Sequence, residues 1–174
     1  MPQLPQQNPG LPIDSPDRRR LPPLLRRAWY SLNRTFRRRI AHTGVTPDQF
    51  TALRCLTESG PDGMTQSELS AKMTSDPNTI ASMLERMEQS SLLIKLPHNH
   101  DRRAHHIQIT PVGEVKYSQV RQLAIELQKD ILKVLPETER EHFLEHLGRV
   151  ADVCNELAKK TARKSRGPKM EPEK

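Results

Sequence analysis

The sequence predicts an all-α protein carrying one small β-hairpin, and three observations support that class. From Leu21 onward, apolar residues recur every three or four positions through most of the chain, which is the period of a buried helix face. Helix-opening signatures punctuate this pattern at Thr46-Pro47-Asp48-Gln49, Thr65-Gln66-Ser67-Glu68, Asp76-Pro77, Thr110-Pro111 and Thr138-Glu139-Arg140-Glu141. Each pairs a side-chain oxygen acceptor with a proline at the first helical position, a Glu or Gln at the third, or both. Only two short runs, Ile94-Lys95-Leu96 and His106-Ile107-Gln108-Ile109, alternate with the period of a strand.

Residues 1–20 are proline-rich and polar without an apolar period, and are expected to form a disordered arm. A helix over about 21–41 follows, where Leu25, Trp29, Leu32, Phe36 and Ile40 make one apolar face surrounded by arginines. The Thr46 signature opens a second helix with Phe50, Leu53 and Leu56 inward, closed by Ser59-Gly60-Pro61. A short helix with Leu69 and Met73 inward comes next, then one capped by Asp76 with Ile80, Met83, Leu84 and Met87 inward. Two helices joined by a short turn over about 65–90 have the form of a helix-turn-helix.

The two alternating runs read as a hairpin over about 94–109, with the polar stretch Pro97 to His105 at its tip. A long helix over about 111–135 has Val115, Leu123, Leu127, Ile131 and Leu135 among its apolar positions. A last helix over about 137–160 places Phe143, Leu147, Val150, Cys154 and Leu157 on one side, and 161–174 reads as a disordered basic tail. The apolar stripes of the first, fifth and sixth helices are too long for one small chain to cover. Two-fold dimerisation through them is the expected solution.

The net charge is +7, but much of it sits in residues 159–174, where seven Lys/Arg face two Glu. The high isoelectric point is therefore weak evidence for a nucleic-acid partner. Residues 26–39 hold six arginines and no acid, whereas 64–110 balance five Lys/Arg against five Asp/Glu. No apolar run approaches a signal peptide or a membrane span, so a soluble, cytoplasmic protein with no membrane partner is expected.

Helix order and several matched segments together resemble the MarR family of transcription regulators. The most specific stretch is His100-Asp101-Arg102-Arg103-Ala104-His105-His106-Ile107-Gln108-Ile109-Thr110-Pro111-Val112-Gly113. It resembles that family's wing, an Asp-x-Arg motif running through a strand into a Thr-Pro-x-Gly helix start. Thr46 to Leu53, Gln66 to Ser70 and Leu84 to Glu88 resemble its second helix and helix-turn-helix, and the likeness spans residues 24–160. The resemblance implies a winged helix-turn-helix fold with long dimerisation helices. It also implies a homodimer on a near-palindromic double-stranded operator, most readily a repressor released by a small-molecule effector of unspecified identity.

The residues support that reading on their own chemistry. Opposite the apolar face of the helix that Asp76 opens lie Asn78, Thr79, Ser82 and Arg86. Asn and Arg side chains can pair bidentately with adenine and guanine edges, and Ser and Thr suit base or phosphate. Peptide N–H groups at the Pro77-Asn78-Thr79 end of this helix can also bind phosphate, although Asp76 adds a local repulsion. A solvated polar face is the plain alternative, and the wing shifts the balance. By the family's pattern Arg103 enters a minor groove, Asp101 orients its guanidinium, and Arg102 meets phosphate.

Other chemistries find little support. His98, His100, His105 and His106 cluster near the wing without a thiol or convergent carboxylates, and read as an exposed polar loop rather than a metal site. His142 and His146 share a helical face, but Phe143 stands where a metalloprotease motif needs Glu. Cys55 and Cys154 are expected to be buried small hydrophobes. No phosphate loop, nucleophile elbow or carboxylate pair is present, so an enzyme and a bound cofactor are not expected. Two rival functions stay open at this point: a winged-helix module that binds a protein partner, and a regulator that senses oxidants through cysteine.

Overall fold

A computed structural model describes residues 18–97 and 105–165, together with Gly10, Pro12 and residues 14–16. Most of the proline-rich arm, the wing tip and residues 166–174 lie outside the described residues. The element order is α1 Leu21–Ile40, a 3-10 turn Ala41–Thr43, α2 Pro47–Glu58, β1 Met64–Thr65, α3 Gln66–Lys72, α4 Pro77–Gln89, β2 Leu93–Pro97, β3 His105–Ile109, α5 Pro111–Leu132 and α6 Glu137–Ser165. The chain divides into two compact units, residues 1–127 and 128–174.

The expected helix starts form for the expected reasons. Thr46 accepts the Gln49 N–H while the Gln49 side chain receives the Thr46 N–H, a reciprocal cap that satisfies two otherwise orphaned donors. Thr65 and Glu68 repeat the arrangement at α3. Two hydrogen bonds from Thr65, backbone first, hold the Glu68 carboxyl below the usual carboxylate range, so the cap stays ionised into mild acid.

In the first unit a core of Ile40, Phe50, Leu53, Leu56, Leu69, Ile80, Leu84, Met87, Leu93, Ile107 and Val120 joins helices to sheet. An aromatic series crosses it: Phe36 of α1 meets Phe50 of α2 edge-on at 5.5 Å, and Phe50 stacks on Tyr117 of α5 at 5.7 Å. Lys116 of α5 donates to the Thr43 carbonyl at 2.8 Å, fastening the 3-10 turn to the same helix. In the second unit, Arg140 donates from Nε to the Leu132 and Leu135 carbonyls, satisfying acceptors where α5 runs out.

Three features differ from expectation. The hairpin is part of a three-stranded antiparallel sheet in the order β1-β3-β2, because Met64 and Thr65 pair with Ile107 and His106. Gly63 permits that pairing: its φ is +67°, and a Cβ there would stand 2.2 Å from the Ile107 carbonyl oxygen. The last helix starts at Glu137, so Thr138 lies inside its first turn and is not the cap; the helix then runs through Ser165, into the expected tail. Finally, α5 ends at Leu132 and buries Gly113, Val120, Leu127 and Leu132, while Val115 and Ile131 are exposed.

Candidate nucleic-acid interface

The turn between α3 and α4 sets how the second helix is presented. Helix α3 closes with the Thr74 N–H on the Ala71 carbonyl and the Ser75 N–H on the Ser70 carbonyl, which places Thr74 at φ 51°. A β-branched residue in the left-handed region is strained. That strain is tolerated because the next residues must turn at once into α4. Gln66 at the start of α3 donates to the Pro77 carbonyl at 3.3 Å, tying the two helix starts together.

Helix α4 buries Ile80, Met83, Leu84 and Met87 and exposes Asn78, Thr79, Ser82 and Arg86. At about 3.6 residues per turn, Asn78 and Ser82 lie in the middle of the outward arc, with Thr79 and Arg86 on one flank. Glu85 and Gln89, which sequence reasoning did not single out, share the arc with Asn78 and are exposed. Their helical spacing from Asn78 is the signal that could have found them. Arg86 is partly committed, since its Nε donates to the Ser82 carbonyl at 3.1 Å.

One expectation fails here. The Asn78 and Thr79 N–H groups are not free for phosphate, because one Asp76 carboxylate oxygen accepts both, at 2.9 and 3.2 Å. An Asp cap both fills these donors and opposes an incoming anion.

The wing is rooted on the same body. Strands β2 and β3 pair from Leu93↔Ile109 to Pro97↔His105. Asp101, Arg102 and Arg103, with His98 and His100, lie outside the described residues. At the root, Lys95 of β2 pairs with Glu88 of α4 at 3.0 Å, a link between strand and helix that sequence reasoning missed. Thr110 bonds the Ser91 carbonyl at 2.6 Å and caps the Gly113 N–H at 3.0 Å, so the end of α4 and the start of α5 meet at one residue.

Comparison with known proteins places this architecture. The model of the MarR family matches residues 45–105, from α2 into β3. Over 103 residues, 59% of this chain and 62% of the relative, the sequence is 32% identical to the HTH-type transcriptional regulator PecS of Dickeya dadantii. Residues 45–105 are thus similar to the MarR family. A second relative within reach is the HTH-type transcriptional repressor MdtR of Bacillus subtilis, 31% identical over 44% of this chain and 48% of that protein. The chain thus matches less than two thirds of the length of either relative. Among solved structures, the transcriptional repressor CouR bound to a 23-mer DNA duplex superposes with a TM-score of 0.68 at 24% identity, covering 74% of this chain and 89% of CouR. At that identity the likeness shows the winged helix-turn-helix fold.

The cysteines of the chain can now be placed. Cys55 is half-buried on α2, and burial pushes its thiol above the ordinary range, outweighing the opposing pull of Lys72. A raised pKa leaves little thiolate, the species that reacts with peroxide. Cys154 is exposed on α6, contrary to expectation, because the apolar side of that helix is left uncovered within a single chain. Cys55→Ser is expected to leave peroxide sensitivity unchanged. DNA binding titrated with and without peroxide would check this, and a response abolished in the variant would restore the oxidant-sensing reading. Among the described residues no group of three or more His, Cys, Asp and Glu converges on a metal site. No described helix is long and apolar enough to cross a membrane.

Proposed function

We propose that the chain is a sequence-specific DNA-binding regulator of transcription, acting in the cytoplasm as a homodimer that represses until a small-molecule effector releases it. The carrying observation is the arrangement of α4. A polar, exposed arc of Asn78, Ser82, Glu85 and Gln89 stands on a helix packed through Leu69, Ile80 and Leu84, beside a wing rooted on the same sheet. Such a helix presents side chains to the major groove while its scaffold fixes the angle of approach. CouR and MdtR are named repressors, and CouR has also been solved with p-coumaroyl-CoA. These relatives support repression and release by a ligand for this chain as well. The function is binding and not catalysis.

Dimerisation follows from surfaces a lone chain leaves wet. On α1, Leu21, Leu24, Leu25, Trp29 and Leu32 are exposed; on α6, Phe143, Leu147, Val153 and Leu157 are. Apolar faces of this length mark an interface, and a second copy covers them by symmetry. An effector would then act by favouring a dimer whose two reading helices are wrongly spaced for the operator.

Within the wing, Arg103 is the minor-groove contact, Asp101 orients it, and Arg102 meets phosphate. Selection of bound fragments from the source genome would yield the operator and test the whole reading. No enriched sequence, or binding indifferent to salt, would favour a protein-docking module instead, because DNA binding must weaken as salt rises. On the selected operator, Arg103→Ala is expected to weaken binding by about 1–3 kcal/mol for each half-site. Asp101→Ala is expected to weaken it too, although it removes a negative charge near DNA. Fluorescence anisotropy at fixed salt separates the cases. Tighter binding by Asp101→Ala refutes the orienting role, and wild-type affinity in Arg103→Ala refutes the minor-groove role.

A further inference from the structure

Between residue 18 and residue 47 the chain carries nine arginines, no lysine and no acid. That is half of its eighteen arginines, while all ten lysines lie at position 72 or beyond. On α1 the distribution is also directional. With about 3.6 residues per turn, Arg26, Arg27, Arg34, Arg37 and Arg38 fall within about 120° of the helix circumference, away from the side that buries Ile40 and half-buries Phe36. All five are exposed. Arg26 lies over the Tyr30 ring at 4.8 Å. No ion pair among the described residues engages Arg27, Arg34, Arg37 or Arg38.

Such a face costs helix stability, because like charges three and four apart repel. Arg37 and Arg38 are partly offset by the negative end of the helix dipole, but that effect fades within the last turn and does not reach Arg26, Arg27 or Arg34. Solubility does not require it, and would not select arginine over lysine. What distinguishes arginine is its planar fork of donors, which matches phosphate and carboxylate oxygens two at a time.

The reading elements lack this charge. Residues 64–110, which contain α3, α4 and the wing, balance five Lys/Arg against five Asp/Glu, and Asp76 has taken the two helix-end N–H groups that could have met phosphate. A duplex presents one negative charge for about every 1.7 Å of its axis, and neutralising those charges supplies most sequence-independent affinity. The balanced charge of the reading elements leaves part of that cationic surface to the rest of the chain.

We infer that the arginine face of α1 is a docking surface for the phosphate backbone of duplex DNA, supplying sequence-independent affinity while α4 and the wing supply specificity. The inference rests on the DNA-binding reading above and goes beyond it by assigning a separate phosphate-binding surface. From Arg27 to Arg38 the face extends about 16 Å along the helix, the length of duplex that carries about five phosphates on each strand.

The test is the salt dependence of binding by the full-length protein, measured by anisotropy on the operator and on a scrambled duplex of equal length. Variants are the quadruple R27Q/R34Q/R37Q/R38Q, its Lys counterpart and the four single Gln substitutions. Each phosphate that is no longer neutralised should lower the slope of log K against log salt by about 0.9. A dimer in which all eight arginines are replaced would thus drop by up to about 7. Both duplexes should weaken by the same factor, leaving their ratio unchanged, and the Lys variant should keep most of the slope. If the quadruple variant fails to fold, the single substitutions carry the test, each expected to lower the slope by about 1.8 per dimer. A wild-type slope retained in the Gln variants overturns the inference, and shows that the face serves an acidic protein partner or none. Absence of any salt-sensitive DNA binding by the wild-type protein would instead sink the DNA reading itself.

Discussion

Gly113→Ala is expected to destabilise the protein by about 3 kcal/mol, at the upper end of what overpacking costs. A Cβ at that position would stand 2.1 Å from the Leu92 carbonyl oxygen and 2.8 Å from the Ile109 side chain. The oxygen cannot retreat cheaply. It accepts the Thr110 N–H at 3.2 Å, while the Leu92 N–H is bound to the Met87 carbonyl at 2.9 Å. Just upstream, Ser91 is held at φ 57° with its carbonyl on the Thr110 hydroxyl. The end of α4, both strand roots and the start of α5 therefore converge on a point with no slack. Relief of the clash must move α5 away from α4, so operator affinity should fall with stability. Denaturant midpoints and operator titration would check both. A midpoint matching the wild type would show that the junction is softer than its geometry implies.

Leu84→Ala is expected to cost about 2–5 kcal/mol through reduced burial and an unfilled cavity. Leu84 is fully buried on the inner face of α4, among Leu69, Ile80 and Met87. Its effect on DNA should be indirect, with the fall in binding tracking the fraction of protein unfolded. Asn78→Ala on the outward arc gives the opposite pattern. Its melting temperature should stay near wild type while operator affinity drops by about 1–3 kcal/mol, the worth of one base-edge interaction. Paired thermal melts and titrations would separate the two. A stable Leu84→Ala variant, or an Asn78→Ala variant with wild-type affinity, would mean that α4 has been assigned the wrong faces.

The residues explain why some of this is legible in sequence and some is not. Helix starts depend on hydrogen bonds between residues three apart, as at Thr46 with Gln49, so local sequence contains the whole device. The inner face of α4 follows from helical spacing for the same reason. Glu85 and Gln89 are legible by that spacing, and Gln can pair with adenine and Glu with cytosine, but sequence reasoning followed only Asn78, Thr79, Ser82 and Arg86. The wing residues Asp101, Arg102 and Arg103 came from resemblance, which periodicity alone could not supply.

What the sequence by itself determined was the set of helices, their apolar faces, the strand pair and the family resemblance. The first three rest on periodicities and caps contained within a few turns of chain, and the resemblance rests on matched motifs. Tertiary structure decided the rest. Strand β1 exists because Gly63 lets two residues reach β3 from more than forty positions away. The Glu88–Lys95 pair and the Thr110 junction each depend on atoms meeting across a fold or a turn. Exposure of Cys154 and of Val115 was likewise a tertiary outcome, since an apolar stripe shows that a helix face seeks cover but not whether its own chain supplies it. Local periodicity specifies what a segment can bury; only the packed molecule specifies against what.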